Sequence, residues 1–188
     1  NRAYLAGNLG DESTKLYGSL ATALVEGDSV DDNEGWEANV GFWRRAASGA
    51  GWRARFGGHA RALGYADDRS HFTLGHGGYF SPHHFVTVGP TFDLSGERDG
   101  STFRVEGGLS WQNLREDRVA YFPDQARLQA ASGNRFYRGS SRDGIGARLA
   151  ASIEWRMSGR SVAGVRLEGA SGEDFDVVRD RKSTRLNS

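Results

Sequence analysis

Polar and apolar residues alternate along this chain with a period of two, the repeat that sends successive side chains to opposite faces of a β-strand. From Gly51 to Leu63 one face carries Trp52, Ala54, Phe56, Gly58, Ala60 and Ala62; the other carries Arg53, Arg55, Gly57, His59 and Arg61. Phe103–Leu114 repeats the pattern, with Phe103, Val105, Gly107, Leu109 and Trp111 opposed to Arg104, Glu106, Gly108, Ser110 and Gln112. Ile145–Met157 sets Ile145, Ala147, Leu149, Ala151, Ile153, Trp155 and Met157 against Gly146, Arg148, Ala150, Ser152, Glu154 and Arg156. Further strands are predicted at Arg2–Leu9, Lys15–Glu26, Trp36–Arg45, Phe72–Phe80, His84–Glu97 and Ser161–Gly169, where Arg166 and Glu168 share the polar face. That makes about nine strands and a stub at Phe175–Val178, with no amphipathic helix of comparable strength. The pattern predicts an all-β, antiparallel fold.

Turn chemistry refines it. Asp99-Gly100 sits between two alternating segments, and a two-residue hairpin there needs positive φ at both positions. Ser158-Gly159-Arg160 marks a second short turn, whereas Asp117–Arg142 is long and polar, with Tyr121, Phe122, Phe136 and Tyr137. Short turns at one end and long loops at the other is the outer-membrane barrel pattern. Two features fit less well: Ala47–Ala50 is short where strand parity asks for a long loop, and Pro90 lies inside a strand, which calls for a bulge or an edge.

Alternation alone also suits a soluble β-sandwich. Three features favour a membrane barrel. The predicted strands run to roughly 11–15 residues, enough for a tilted bilayer crossing and longer than the roughly 5–6 of globular strands. Trp36, Trp52, Phe56, Phe103, Trp111 and Trp155 fall near strand ends, as aromatic girdles do. The apolar faces are padded with Ala and Gly, poor core filling but an adequate outer wall.

Composition adds limits. The chain has 188 residues, 27 glycines, 3 prolines and no cysteine, which rules out disulfides and thiolate metal sites. Lys+Arg and Asp+Glu are 24 each, so no net field points to nucleic acid. No run approaches the roughly 20 apolar residues of a membrane helix, a criterion that leaves barrels untouched. The chain opens at Asn1 without Met or signal peptide, so the natural N-terminus is expected to lie upstream. Residues 1–179 form the barrel portion. Asp180-Arg-Lys-Ser-Thr-Arg-Leu-Asn-Ser188 reads as a translated sequencing-adapter tail that truncates the final strand.

The segment His71-Phe-Thr-Leu-Gly-His-Gly-Gly-Tyr-Phe-Ser-Pro82, with His84-Phe-Val-Thr-Val-Gly89 and Trp111, resembles the C-terminal domain of the cellulose synthase operon protein C family. The similarity continues through Gly144-Ile-Gly-Ala-Arg148, Glu154-Trp155, Gly164-Val-Arg-Leu-Glu168 and Phe175-Asp176, covering most of Asn39 to Val178. Its most specific part is Gly75, His76, Gly77, Gly78, Tyr79, Phe80, Ser81 and Pro82. The resemblance implies part of a larger transmembrane β-barrel in the outer membrane of a Gram-negative bacterium, passing a β-1,4-glucan through surrounding lipid. It also implies a periplasmic array of tetratricopeptide repeats in the full-length protein, and an inner-membrane cellulose synthase complex that drives the polymer.

In a barrel, the polar faces would put Arg53, Arg55, Arg61, Arg104, Glu106, Arg148, Glu154, Arg156, Arg166 and Glu168 in a wet lumen. Mixed charge there holds water and sugar hydroxyls without selecting a net charge, and transport favours weak binding at several sites. Inward Trp43 and Phe85 are candidate sliding platforms for pyranose faces. The plainer role for the Arg and Glu residues is cross-strand bracing. For Tyr79–Pro82 it is a chain turn, with a gate or polymer contact as the alternative. His59, His71, His76, His83 and His84 are irregularly spaced without an acid cluster, so no metal is expected. Glu106 and Glu154, imagined as a glycosidase pair, sit among arginines that disfavour a general acid, and no Gly-x-Ser-x-Gly occurs. The expectation is a conduit with no cofactor and no chemistry. A soluble carbohydrate-binding sandwich and an outer-membrane hydrolase remain as alternatives.

Overall fold

The computed structural model describes the chain apart from residues 28–29, 159–160, 173–174 and 187–188, and for Ser158 and residues 175–186 it describes the backbone alone. The strands are β1 (Arg2–Gly10), β2 (Thr14–Gly27), β3 (Val30–Gly49), β4 (Trp52–Tyr65), β5 (His84–Arg98) and β6 (Ser101–Glu116). A short excursion follows: β7 (Val119–Ala120), helix α1 (Ala126–Ala131) and β8 (Phe136–Tyr137). The chain then returns through β9 (Ser140–Ser158), β10 (Ser161–Gly172) and β11 (Phe175–Leu186). Apart from β7 and β8, which pair with each other, they form one nine-stranded antiparallel meander. β1 and β11 are its two ends, and the sheet is not closed. It matches part of a barrel.

Most predicted strands are present, several of them longer. β3 and β9 extend by several residues beyond the alternating apolar segments, into polar stretches that pairing with neighbours keeps extended. One predicted strand is absent: Phe72–Phe80 lies in the β4–β5 loop, because Gly75 and Gly78 adopt positive φ (94° and 65°) and break the extended run. Removing that strand resolves the parity problem. The turns at 11–13, 50–51 and 99–100 now share one end of the sheet, and the long loops 66–83 and 117–139 share the other. Asp99 (φ 51°) and Gly100 (φ 76°) make the expected hairpin. At the β1–β2 turn, Asp11 Oδ1 accepts from Ser13 Oγ and from the backbone N–H of Ser13 and Thr14. Those bonds, the Ser13 hydroxyl first, hold the Asp11 carboxyl below its ordinary pKa.

Pro90 corrects a second expectation. It lies in a central strand with neither bulge nor edge: Gly89 and Pro90 drop out of the ladder to β6, which resumes at Thr91↔Gly108 in unchanged register. Pairing on the other side, Gly58↔Pro90, holds the strand. The expected stub continues as β11, whose backbone through Leu186 pairs with β10. The residues read as an adapter tail therefore form the outer half of that strand up to Leu186, and their side chains lie outside the described residues, as do Gly159 and Arg160 of the second predicted turn.

Side-chain burial is inverted relative to a water-soluble domain. Among the described residues the largest fully buried side chains are Asn33, Asp93, Pro82 and Ser81, and buried apolar residues amount to Ala21, Leu63 and Ala150. The alternating apolar face lies outside: Ile145 is 72% exposed and Leu149 54%, with Leu5, Val40, Phe56, Val88, Leu109 and Leu167 also open. Cross-strand register joins these positions into one surface, as in Leu94↔Val105↔Ala151↔Leu167. Near the short turns it carries Trp52, Phe103 and Trp155, and eight residues along β6 from Phe103 lies Trp111. Eight residues span about 26 Å of strand, or about 20 Å of height at a barrel tilt near 40°, comparable with an outer-membrane apolar band of about 25 Å.

Candidate functional site

The sheet curls toward its polar face. A cavity of about 960 Å³ on that side is bounded by strands from β2 to β10, with Tyr17, Asn39, His59, Gln112, Arg148 and Ala170 on its wall. A second chamber of about 670 Å³ lies toward the short turns.

Register arranges the polar face into rows. Arg53, Ser95, Arg104, Ser152 and Arg166 are successive partners across β4, β5, β6, β9 and β10. Two residues nearer the long loops, the next row reads Arg55, Asp93, Glu106, Ala150 and Glu168. Beyond it come Gly57, Thr91, Gly108, Arg148 and Ala170, small apart from the arginine, and the larger cavity opens there.

A continuous ion-pair chain links these rows. Asp93, whose side chain is 0% exposed, accepts from Arg55 (Nη2 at 2.7 Å, Nε at 3.1 Å) and from Arg104 Nε at 2.6 Å. Arg104 reaches Glu106 at 2.8 Å, Glu106 accepts from Arg166 at 2.9 Å, and Glu168 pairs with Arg148 at 2.9 Å and more loosely with Arg166 at 3.7 Å. A second set joins Arg61 to Glu37 at 3.1 Å, with Arg2 at 3.7 Å and Asn39 donating to the same carboxylate at 2.9 Å. Charge-assisted bonds of this kind are the strong ones in a partly desolvated wall.

The structure thus brings together Arg55, Arg104, Glu106 and Arg148 with Arg166 and Glu168, and sets Arg61 apart. Arg53 lies in the smaller chamber and donates to Ser95 Oγ at 3.2 Å, its one side-chain partner among the described residues. Glu154 shares that chamber and pairs with no guanidinium among the described residues, contrary to the expectation that arginines flank it. Arg156 lies beyond it on the same face. Glu154 sits opposite Thr102 and Glu106 opposite Ala150, four residues apart along β6 and about 13 Å of strand. Two carboxylates flanking one glycosidic bond sit within roughly 5–9.5 Å.

Trp43 faces inward on β3, with the Arg55 guanidinium 5.5 Å from its ring centroid, so one side of that platform is already occupied. Phe85 packs edge-on against Phe80 at 5.7 Å, and both line the larger cavity. Asp93 was missed in the sequence reading. Its signal was a lone acid at an inward position of β5, between two strands carrying inward arginines.

The glycine-rich segment Gly75–Pro82 belongs to a cap over the long-loop end. Arg69, nearly buried, donates to the Gly75 carbonyl and to Asp124, both at 2.9 Å, which ties loop 66–83 to loop 117–139. His76 Nε2 meets the Ala120 carbonyl at 2.9 Å, Ser81 Oγ accepts from the Arg69 N–H at 2.7 Å, and Asn33 Nδ2 donates to Tyr79 Oη at 2.8 Å. Gly77, Gly78 and Pro82 shape the turn that brings Phe80 over the cavity mouth. His71 stacks on Tyr137 at 3.5 Å, and Tyr137 stacks on Tyr121 at 4.2 Å. Burial lowers the His71 pKa and raises that of the Tyr79 phenol. His71 and His76 meet edge to face at 5.2 Å, but no group of three potential metal ligands converges among the described residues.

The model of one protein family, described as "Cellulose synthase operon protein C C-terminus", matches residues 1–185. The chain is 27% identical to cellulose synthase operon protein C of Pseudomonas fluorescens over 90% of its own length and 13% of that protein. It is likewise 27% identical to the protein of that name from Xanthomonas axonopodis pv. citri, over 85% of the chain and 12% of the relative. Against that of Komagataeibacter xylinus it is 28% identical, over 64% of the chain and 9% of the relative. The chain therefore spans about one eighth of the first two relatives.

Proposed function

Because this chain belongs to the family of cellulose synthase operon protein C C-termini, we propose that it forms part of an outer-membrane β-barrel through which β-1,4-glucan leaves a Gram-negative cell. One observation carries the reading: a nine-stranded sheet exposes its oil on the convex side and turns a charged, ion-paired face toward a cavity. A water-soluble sandwich puts that oil between two sheets, and here no second sheet covers it among the described residues. Lipid is the solvent that suits such a surface.

The lumen wall suits a neutral polymer. Its arginines and carboxylates neutralise one another, leaving polar groups to exchange hydrogen bonds with sugar hydroxyls while no charge pulls the chain to a stop. Phe80, Phe85 and the free side of Trp43 offer apolar faces for pyranose rings. Other parts of the full-length protein supply the remaining strands and a periplasmic tetratricopeptide-repeat region, and an inner-membrane synthase complex drives export. The barrel itself is a conduit that carries no cofactor and performs no chemistry.

The test uses the full-length protein. Replacing Arg104, Arg148 and Arg156 together by alanine should reduce secreted glucan while the protein still inserts in the outer membrane. Unchanged secretion with an intact barrel refutes a role for this face in export. Monodisperse behaviour without detergent refutes the membrane reading itself.

A further inference from the structure

In the chamber of about 670 Å³ near the short turns the charges are not all paired. The ion-pair chain of Arg104, Glu106, Arg166 and Glu168 divides it from the larger cavity, and within it three charged side chains stand apart, Arg53 and the carboxylates of Glu97 and Glu154. Arg53 bonds to a neutral hydroxyl, while the side chains of Glu97 and Glu154, on either side of Thr102 in one cross-strand row, have no hydrogen-bond or ion-pair partner among the described residues. The strands of Arg53 and Glu154 are three ladder steps apart, about 14 Å between backbones at 4.8 Å per step. Between them lie the hydroxyls of Ser95, Thr102 and Ser152. The volume falls among pockets that enclose small ligands, roughly 300–1,000 Å³.

From this arrangement we infer that Arg53, Glu154 and the hydroxyls between them form a distinct saccharide subsite at the short-turn mouth, selective for neutral pyranose units. An anionic ligand meets Glu97 and Glu154, and a cationic one meets Arg53. A polyhydroxyl ring satisfies both, since a guanidinium donates to ring and hydroxyl oxygens and a carboxylate accepts from O–H groups. Ser95, Thr102 and Ser152 donate and accept, so the ring is held from several sides without any one strong bond. Arg104 and Arg166 contribute less, their donors being committed to Glu106, Asp93 and Glu168. The subsite rests on the conduit reading and adds to it a place where the chain is first gripped.

The test reads interruptions of ionic current by cellohexaose through the full-length protein in planar bilayers, with sugar added to one side at a time. For the unmodified protein, blockade from the short-turn side is expected at lower sugar concentration than from the long-loop side. The double variant Arg53→Gln/Glu154→Gln, which changes no ion pair, should raise the concentration needed from the short-turn side about tenfold, the low end of what a bond to a charged group contributes. Blockade from the long-loop side should be unchanged. Equal blockade by the variant and the unmodified protein overturns the subsite and leaves the conduit standing. Absence of blockade by cellohexaose from either side in the unmodified protein overturns the conduit itself. A carboxymethylated cello-oligosaccharide binding more tightly than cellohexaose also overturns the subsite, because Glu154 would then play no selective part.

Discussion

Replacing Asp93 with alanine removes the acceptor that two guanidinium groups share. Asp93 is fully enclosed, while the Arg55 and Arg104 side chains remain 27% and 47% exposed. Breaking a buried pair by deleting one partner costs roughly 3–5 kcal/mol. Because both arginines keep some water, and Arg104 keeps Glu106, the low end applies, about 3 kcal/mol. At about 2–4 °C per kcal/mol for a chain of this length, the melting temperature should fall by about 6–12 °C. Asp93→Asn keeps the shape and one acceptor oxygen, and should lose about half as much. The assay is the folded-to-unfolded mobility shift of the barrel on unboiled SDS gels, followed as a function of temperature. In a double-mutant cycle, Asp93→Ala with Arg104→Ala should destabilise by less than the sum of the two, since both remove one interaction. A loss under 0.5 kcal/mol for Asp93→Ala, or strict additivity in the cycle, refutes the view that this carboxylate anchors the inner wall.

Three further outcomes are expected. Leu149→Arg, on the exposed apolar face, should cost about 2–4 kcal/mol in folding into vesicles, whereas Ser110→Arg, facing the cavity, should fold normally; equal tolerance of both contradicts the assignment of faces. Arg69→Ala cuts the link between loops 66–83 and 117–139 and should speed hydrogen exchange and proteolytic nicking in both loops together, leaving the strands protected. The His71–Tyr137 stack should loosen in acid. Burial lowers the His71 pKa in the folded cap, so the unfolded loop binds the extra proton first, and the cap's stability declines as pH falls below about 6.5. Hydrogen exchange of the cap compared at pH 7.5 and pH 5.5 checks this, and His71→Gln should flatten the difference.

The strands were legible because one face is apolar and the other polar, and Gly51–Leu63, Phe103–Leu114 and Ile145–Met157 carry that alternation residue by residue. Phe72–Phe80 misled because Phe72, Leu74 and Phe80 fall at even spacing. The two glycines that bend the chain there impose φ values that a hydropathy pattern does not encode. Pro90 misled in the opposite sense: a strand paired on its other side can forgo a ladder bond without shifting register. The polar face was legible as a list of residues and not as a network. Which arginine meets which acid depends on the offset between neighbouring strands, and that offset is a property of pairs of segments. Hence Asp93 escaped notice, and the unpaired state of Glu154 differed from expectation.

That offset also explains why the inner face is ionic rather than merely polar. A sheet without a buried apolar core gains little from burying side chains within the protein, and its outer face is nearly interchangeable along each strand, because Leu, Val, Ala and Phe all dissolve in lipid. Sliding β6 against β9 by two residues keeps every apolar group outward and costs the oily face almost nothing. The same slide carries Glu106 away from Arg166, which reaches it across β9 from β10. The charged rows therefore distinguish the correct register from its neighbours of the same parity, a task the hydrophobic pattern excludes only for one-residue slips. On this argument, replacing Arg104, Glu106 and Arg166 together by Gln should leave a barrel that inserts but pairs in more than one register. Cysteine cross-linking of Leu109 to Ala147, neighbours in the single register seen here, is the measurement that decides: undiminished cross-linking yield in the triple variant means that the glycines and loops fix the offset instead.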